Sequence, residues 1–156
     1  MRIYRAYCDG VKDPKTGFSA SSFLVTEENV VLKEMTEKSN VESSNEAEMR
    51  AVLSAFLWIR NNGGECNDRV LVYTNLKTIP DAFDKGWLTK WTENGWKNSE
   101  GKNVRHKEIW EAIWEQVRFF NSEIRHAQKD EFSYFSRLKK RVRKTSGSLD
   151  KILQAE

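Results

Sequence analysis

Hydrophobic and polar residues partly alternate over the first 36 positions of the chain. Residues 2–8, 17–26 and 30–36 follow this period of two, which is typical of strands that have one buried face. Turn-forming sequences separate them, Asp-Pro-Lys-Thr-Gly at 13–17 and Glu-Glu-Asn at 27–29. The pattern therefore predicts a three-stranded antiparallel meander.

The period then changes to that of a helix. Ser43 and Glu46 match the sequence of a capping box, residues 47–60 have helical spacing, and the Asn-Asn-Gly-Gly sequence at 61–64 ends the pattern. The apolar residues cover most of the circumference, and Leu57 belongs to this broad stripe. We expect a central helix that packs tightly against a sheet.

The rest of the chain combines short helices with two further strands. Residues 69–74 have strong strand propensity and follow a crossover helix, so they are expected to pair in parallel with the first strand. Both strands are expected to end at polar residues, Asp9 and Asn75. Helices are predicted at 77–83, 86–91, 105–120 and 130–144, with a weak strand at 122–126. We expect one α/β domain over residues 1–144 and a polar extension over 145–156.

Composition restricts the class of protein. With 156 residues, 38% of them hydrophobic and 12% aromatic, the chain can bury a core without disulfides. No apolar run reaches the roughly 20 residues that span a bilayer, and the start lacks the apolar segment of a signal peptide. Cys8 and Cys66 form no C-x-x-C pair, and each is expected to be a small packed side chain. We expect a cytoplasmic monomer in a reducing compartment, with no membrane association.

The net charge of +3 hides an asymmetry between the two ends of the chain. Residues 137–156 carry seven Lys or Arg and two acids, and six of those cations lie at 137–144. Residues 1–136 carry 19 basic and 21 acidic side chains. The basic block fits a polyanionic partner, but a solvated helix face explains it equally well.

Two acids stand where strand and helix ends are expected to meet. Asp9 ends the first predicted strand, and Glu48 lies in the first turn or so of the helix that follows the meander. A divalent ion for phosphate chemistry requires several carboxylates at such a place. Acids at these positions also act as turn residues or helix N-terminal charges, so the pair alone does not define a metal site.

A more specific pattern comes from several segments in a fixed order. YCDG at 7–10, SNEAE at 44–48 and VYTN at 72–75 are followed by GWLTKW at 86–91, NGWK at 94–97, GKNV at 101–104 and EIW at 108–110. Together they resemble the type 1 ribonuclease H family over residues 3–144. The resemblance implies a five-stranded mixed sheet with flanking helices, recognition of RNA/DNA hybrids, and hydrolysis of the RNA strand with two Mg²⁺ or Mn²⁺ ions.

The resemblance places the family's four acidic metal ligands on Asp9, Glu48, Asn75 and Ser136, and its assisting histidine on His126. Two of the four are not acids, so we expect Asp9 and Glu48 to be the metal ligands of a depleted site. Ions roughly 3.5–4 Å apart repel each other unless ligand charge offsets them. A rate loss of several powers of ten needs only roughly 4–7 kcal/mol.

The binding surface of the family is better matched than its metal site. The resemblance places Ser43, Ser44 and Asn45 against the minor groove and sugar hydroxyls of the hybrid, and Lys77 near the scissile phosphate. Tryptophans interleave with lysines in the family's basic protrusion, a combination that can follow a phosphate backbone. These residues are Trp87, Trp91 and Trp96 with Lys85, Lys90, Lys97 and Lys102. At least two of the tryptophans are expected to wedge the protrusion onto the body instead.

The leading hypothesis is a protein that binds RNA/DNA hybrid or another A-like duplex and hydrolyses it little or not at all. The main alternative is an active metal-dependent ribonuclease H in which a further acid compensates, the candidates being Asp81, Asp84, Asp130 and Glu131. Two others stay open: an Asp-to-Asn change engineered at position 75, and a protein-interaction scaffold whose basic tail binds an acidic partner.

Overall fold

The computed structural model describes residues 1–127, which form five strands and four helices. These are β1 (Ile3–Lys12), β2 (Ser19–Glu27), β3 (Val30–Ser39), α1 (Ser44–Asn61), β4 (Arg69–Thr74), α2 (Thr78–Asp84), α3 (Trp87–Glu93), α4 (Lys107–Phe119) and β5 (Asn121–His126). The predicted helix at 130–144, the basic block and the extension at 145–156 lie outside the described residues. Within residues 1–127 no helix is both long and apolar enough to cross a membrane.

The strands form one mixed sheet in the order β3-β2-β1-β4-β5. β1, β2 and β3 pair antiparallel as a meander, and the tight turn before β3 uses Glu28 and Asn29 at positive φ. β4 pairs in parallel with β1 after the α1 crossover, and β5 pairs in parallel with β4. The predicted five-stranded mixed sheet with flanking helices is confirmed.

β1 is longer than its sequence pattern indicated. It continues to Lys12, so Asp9 lies inside the strand and the prediction that β1 ends there is wrong. The reason is that β2 pairs with β1 along its whole length, whereas the parallel ladder with β4 ends at the Cys8–Thr74 pair. Asp9 therefore has a strand on one side only, and Asn75 leaves the sheet on the other.

Helix α1 covers one face of the sheet with Val52, Phe56 and Ile59, all buried. Leu57 is 38% exposed, contrary to the expected broad stripe, because α1 buries the face that packs against the sheet and Leu57 is not among its buried residues. On the other face Tyr7 and Tyr73 stack with ring centroids 5.2 Å apart. Cys8 is buried as predicted, but Cys66 is exposed in the loop before β4.

Candidate functional site

The first element of the site is a close approach of strand to helix. Gly10 of β1 lies against the start of α1, where a Cβ atom at position 10 would stand 2.4 Å from the carbonyl carbon of Ala47 and from the amide nitrogen of Glu48. Ser21 fixes the same turn, since its hydroxyl donates to the Ala47 carbonyl at 2.7 Å. Only glycine fits position 10, and this contact places Asp9 beside Glu48.

Asp9, Glu48 and Asn75 meet at this point, and we call them the carboxylate notch. Asp9 Oδ1 accepts from the Gly10 backbone at 3.0 Å and from Asn75 Nδ2 at 3.1 Å. Glu48 Oε1 accepts from the Thr74 hydroxyl at 2.6 Å and from the Asn75 backbone N–H at 2.9 Å. Asn75 therefore bridges both carboxylates as a donor.

The electrostatics of the notch centre on Glu48, which is 3% exposed. Burial, followed by the negative charge of Asp9, raises the pKa of Glu48 from 4.5 to about 8, against the opposing hydrogen bonds from Thr74 and Asn75. Burial also raises the pKa of the neighbouring Cys8 thiol. A positive charge placed in the notch would favour the ionised form of Glu48.

The notch offers two carboxylate side chains as possible ligands for a hard divalent ion. Asp9 and Glu48 offer carboxylate oxygens, which Mg²⁺ and Mn²⁺ prefer, and such an ion can polarise a phosphate. Residues 1–127 contain no group of three His, Cys, Asp or Glu side chains placed to hold a metal ion. Asn75 adds one amide group, whose nitrogen faces Asp9.

The remaining predicted site residues lie at the same end of the sheet or outside the described part. His126 is exposed at the end of β5 and pairs with Thr74, one residue before Asn75. Lys77 is exposed at the start of α2. Asp81 and Asp84, the candidate compensating acids on α2, do not form a metal-binding group with the residues of the notch. Asp81 forms an ion pair with Lys85 at 3.8 Å. Ser136, Asp130 and Glu131 lie beyond the described residues.

A groove of about 350 Å³ runs between the start of α1 and the protrusion, which comprises residues 86–104. Ser43 and Asn45 line one wall, while Trp87, Trp91 and Arg105 line the other. Ser43 caps α1 by accepting from the Glu46 backbone N–H at 3.2 Å, so its predicted role as N-cap is confirmed. Ser44 is exposed and accepts from the Lys12 backbone at 2.9 Å. The groove thus joins the predicted sugar-contacting residues to the protrusion.

The tryptophans of the protrusion form a packed cluster. Trp91 lies at its centre, with ring centroids 6.2 Å from Trp87, 6.0 Å from Trp96 and 5.5 Å from Trp110. All three protrusion tryptophans are half-buried against the main core. This arrangement confirms the expected wedging role, although Trp87 and Trp91 also present a surface to the groove.

The four predicted phosphate-binding lysines are all exposed: Lys85 directly before the protrusion, and Lys90, Lys97 and Lys102 within it. Lys85 lies 5.6 Å from the centroid of the Trp87 ring, and Lys102 pairs loosely with Glu100 at 3.8 Å. Exposed pairs of this kind are worth at most about 1 kcal/mol, so the ammonium groups can exchange them for phosphates.

The model of the family described as RNase H matches residues 2–128. The chain belongs to the RNase H family. Ribonuclease H of Caldicellulosiruptor saccharolyticus is 27% identical over 123 residues, which are 78% of this chain and 79% of that protein. Ribonuclease H of Syntrophomonas wolfei is 36% identical over 66 residues, and this match spans only 42% of the relative's length.

Solved structures of the RNase H family share the fold at low sequence identity. LC9-RNase H1, described as a type 1 RNase H with the type 2 active-site motif, has a TM-score of 0.76 and 18% identity over 95% of this chain and 74% of that one. A foamy viral protease-reverse transcriptase in complex with RNA/DNA hybrid has a TM-score of 0.74 and 17% identity, over 94% of this chain and 20% of that chain. The family and the fold inferred from the motifs are confirmed.

Sequence reasoning missed two contacts at the edge of the groove of this RNase H domain. His106 lines the groove, and its Nδ1 lies 3.4 Å from a carboxylate oxygen of Glu46 in α1. The guanidinium group of Arg105 lies 4.0 Å from the carboxylate of Glu42. These contacts tie the end of the protrusion to the start of α1. Their partners are about 60 positions apart in sequence and follow no periodic pattern; no local signal indicated them.

Proposed function

We propose that this RNase H family member binds RNA/DNA hybrids, or a duplex of similar A-like shape, and hydrolyses them little or not at all. The observation that carries the proposal is the Asn75 side chain, whose amide nitrogen donates to Asp9 at 3.1 Å where the family resemblance expects a carboxylate. A donor at that position satisfies Asp9 without a metal ion.

The charge of the notch supports weak metal binding. Two carboxylates carry at most two negative charges, and the raised pKa of Glu48 leaves it largely protonated near neutral pH unless a cation is present. Two divalent ions held at roughly 4 Å need more ligand charge than this. One ion, completed by water or by substrate oxygens, is what the notch supports.

The binding surface supports the other half of the proposal. Short polar side chains at the start of α1 face two tryptophans across the groove. The predicted phosphate-binding lysines of this part of the chain are exposed to solvent. A-form duplexes are recognised through phosphates and 2′-hydroxyls across a shallow minor groove, which suits these groups. The foamy viral relative was solved with an RNA/DNA hybrid, which makes this the first duplex to try.

The test is a binding and cleavage assay in the same samples. End-labelled RNA/DNA hybrid is incubated with the native chain and with Asp9→Asn, first with Mg²⁺ and then with Mn²⁺. We expect salt-sensitive binding by both proteins and cleavage by neither above background. Cleavage by the native chain that Asp9→Asn abolishes would overturn the proposal in favour of the active enzyme. Absence of binding at low salt would instead favour the scaffold hypothesis.

A further inference from the structure

Strand β3 forms one edge of the sheet and carries an exposed apolar run. Within residues 1–127 no strand pairs with the side of β3 that faces away from β2. Val30, Val31 and Leu32 are consecutive there, and they are 61%, 39% and 39% exposed. A long edge strand with exposed apolar residues is a template for pairing with another chain. We call this outer side of residues 30–39 the β3 edge.

Helix α1 does not cover the β3 edge. It packs on β1 and β2, and a cleft of about 280 Å³ separates it from β3, with Glu37 and Leu57 among the lining residues. Met35 lies on the α1 face of the sheet because it pairs with Phe23 of the core. Lys33 and Glu37 share that face, since each is two positions from Met35. The cleft leaves room beside these three side chains for a second chain at the edge.

The main-chain groups of alternate residues point outward from the β3 edge. The Ser22 hydroxyl of β2 donates to the Met35 carbonyl at 3.0 Å, and the Ser19 hydroxyl donates to the Ser39 carbonyl at 2.7 Å. These two carbonyls therefore face β2. Because main-chain groups alternate in direction along a strand, those of Thr36 face away from β2. The edge can thus exchange main-chain hydrogen bonds with an added antiparallel strand.

Symmetry restricts how two copies of β3 can pair antiparallel. A two-fold axis perpendicular to the sheet relates them, so the axis passes through one residue that lies opposite itself. Centres at 33, 34, 37 and 38 place two equal charges opposite each other, which is destabilising, and centres nearer either end leave few residues paired. A centre at Thr36 places Met35 opposite Glu37. A centre at Met35 brings the two methionines together and places Lys33 opposite Glu37 twice, so β3 is self-complementary about Met35.

We propose that a second copy of this chain pairs antiparallel with the β3 edge about Met35 and continues the sheet across a two-fold axis. Main-chain hydrogen bonds join the two strands, and the two Lys33–Glu37 pairs with the central methionines fix the register. The run at 30–32 then lies beside residues 38–40 of the second copy, where the stem of Lys38 covers apolar surface. The interface is small, so the chain is a monomer when dilute and a dimer when concentrated. The inference does not depend on hybrid binding, because no residue of β3 lines the groove.

The test measures self-association by sedimentation velocity for the native chain, Lys33→Glu, Glu37→Lys and the double variant Lys33→Glu/Glu37→Lys. Protein concentrations run from about 10 μM to about 1 mM, where a small interface is expected to dissociate. Each single variant should raise the dimer dissociation constant by about tenfold or more, because two opposite-charge pairs become two like-charge pairs. The double variant exchanges the charges and should return to within about threefold of the native value. The matched control, Glu65→Lys in the exposed loop before β4, should leave the constant unchanged.

Each outcome of the sedimentation experiment decides the inference. Weakening by both single variants with recovery in the double variant supports pairing about Met35. A native chain that stays monomeric over the whole range overturns it. So does a dimer that both single variants leave intact, or one that Glu65→Lys weakens as much as Glu37→Lys. A double variant that unfolds in urea at the native midpoint but does not recover dimerisation overturns the register.

An oxidative cross-link tests the register independently. In a Cys66→Ser background, Met35→Cys places two thiols at the axis, because opposite Cα atoms of a non-hydrogen-bonded antiparallel pair lie about 4.5 Å apart, within the roughly 4.4–6.8 Å that a disulfide spans. Cys8 is buried and does not compete. We expect Met35→Cys to form a disulfide-linked dimer under mild oxidation and Thr36→Cys to form far less. Preferential linking of Thr36→Cys would contradict the centre at Met35.

Discussion

The carboxylate notch and the groove are neighbours along α1 but are built in opposite ways. The notch is buried, and backbone contacts fix it, because Gly10 touches the α1 backbone and Asn75 donates to both carboxylates. The groove is open, and the phosphate contacts predicted for the adjoining protrusion come from exposed side chains such as Lys90 and Lys97. One change in the notch alters a whole hydrogen-bond set, whereas one change in the protrusion alters one contact.

The difference shows how binding and hydrolysis can separate within the RNase H fold. Two-metal hydrolysis requires ligand charge around the ions, and an amide at position 75 supplies one unit less than a carboxylate would. Binding, as proposed, depends on several exposed contacts, so the loss of one of them removes only part of the affinity. A chain can therefore lose the first function while its fold and surface remain suited to the second.

Restoring the missing carboxylates should have the largest effect. In Asn75→Asp/Ser136→Asp the Asn75 backbone N–H can still hold Glu48, while a carboxylate replaces the donor at Asp9. We expect the hydrolysis rate of RNA/DNA hybrid with Mg²⁺ to rise by about 10³ or more, equivalent to roughly 4 kcal/mol of barrier. Adding Asp9→Asn to this variant should remove the gain. A restored variant that binds hybrid but stays at the native rate would show that ligand charge does not limit hydrolysis.

Gly10→Ala should destabilise the domain by about 3 kcal/mol or more, because the new methyl group cannot avoid the backbone of Ala47 and Glu48. The measurement is urea denaturation. Gly17→Ala is the matched control: Gly17 has φ +75, and its Cβ would meet nothing within 4 Å, so only backbone strain of about 1 kcal/mol is expected. Equal losses in the two variants would mean that the close approach is not needed to form the notch.

Unfolding stability should depend on pH through Glu48. Its pKa is about 8 in the folded protein and near 4.5 when exposed, so the folded state binds the extra proton between these values. Stability should therefore fall as pH rises through this window, by about 2 kcal/mol or more between about pH 5 and about pH 8.5 in EDTA. In Glu48→Gln this fall should largely disappear, and millimolar Mg²⁺ should reduce it in the native chain. The same pH slope in both proteins would contradict the assignment to Glu48.

The sequence predicted the residues of the notch more accurately than the strand end and the helix face around them. Asp9, Glu48 and Asn75 were expected together because local motifs in a fixed order identify the fold. The end of β1 was misjudged because pairing with β2, not the polarity of Asp9, decides where the strand stops. The burial of Leu57 was wrongly predicted because the apolar residues of α1 extend beyond the face that the fold buries.

Long-range polar contacts were beyond the reach of sequence patterns. The Glu46–His106 and Glu42–Arg105 pairs join positions about 60 residues apart, and only the fold brings the end of the protrusion to the start of α1. The Phe18–Lys38 contact is a similar case, since it depends on the register of β2 and β3. Periodicity reports which face a residue occupies but not which charged group lies opposite.

The smallest effect is expected in the protrusion, where Lys90→Gln/Lys97→Gln removes two exposed cations. Hybrid affinity near 0.1 M salt should fall by about tenfold, and the salt slope should fall by up to about 1.8, because up to two phosphate contacts are lost. Unfolding stability should change by less than about 0.5 kcal/mol, since neither side chain is buried. Lys33→Gln/Arg69→Gln removes the same charge far from the groove and should leave the salt slope unchanged. If both variants lower the slope equally, overall charge governs binding and the groove has no special part in it; if only Lys90→Gln/Lys97→Gln does, the duplex lies along the protrusion.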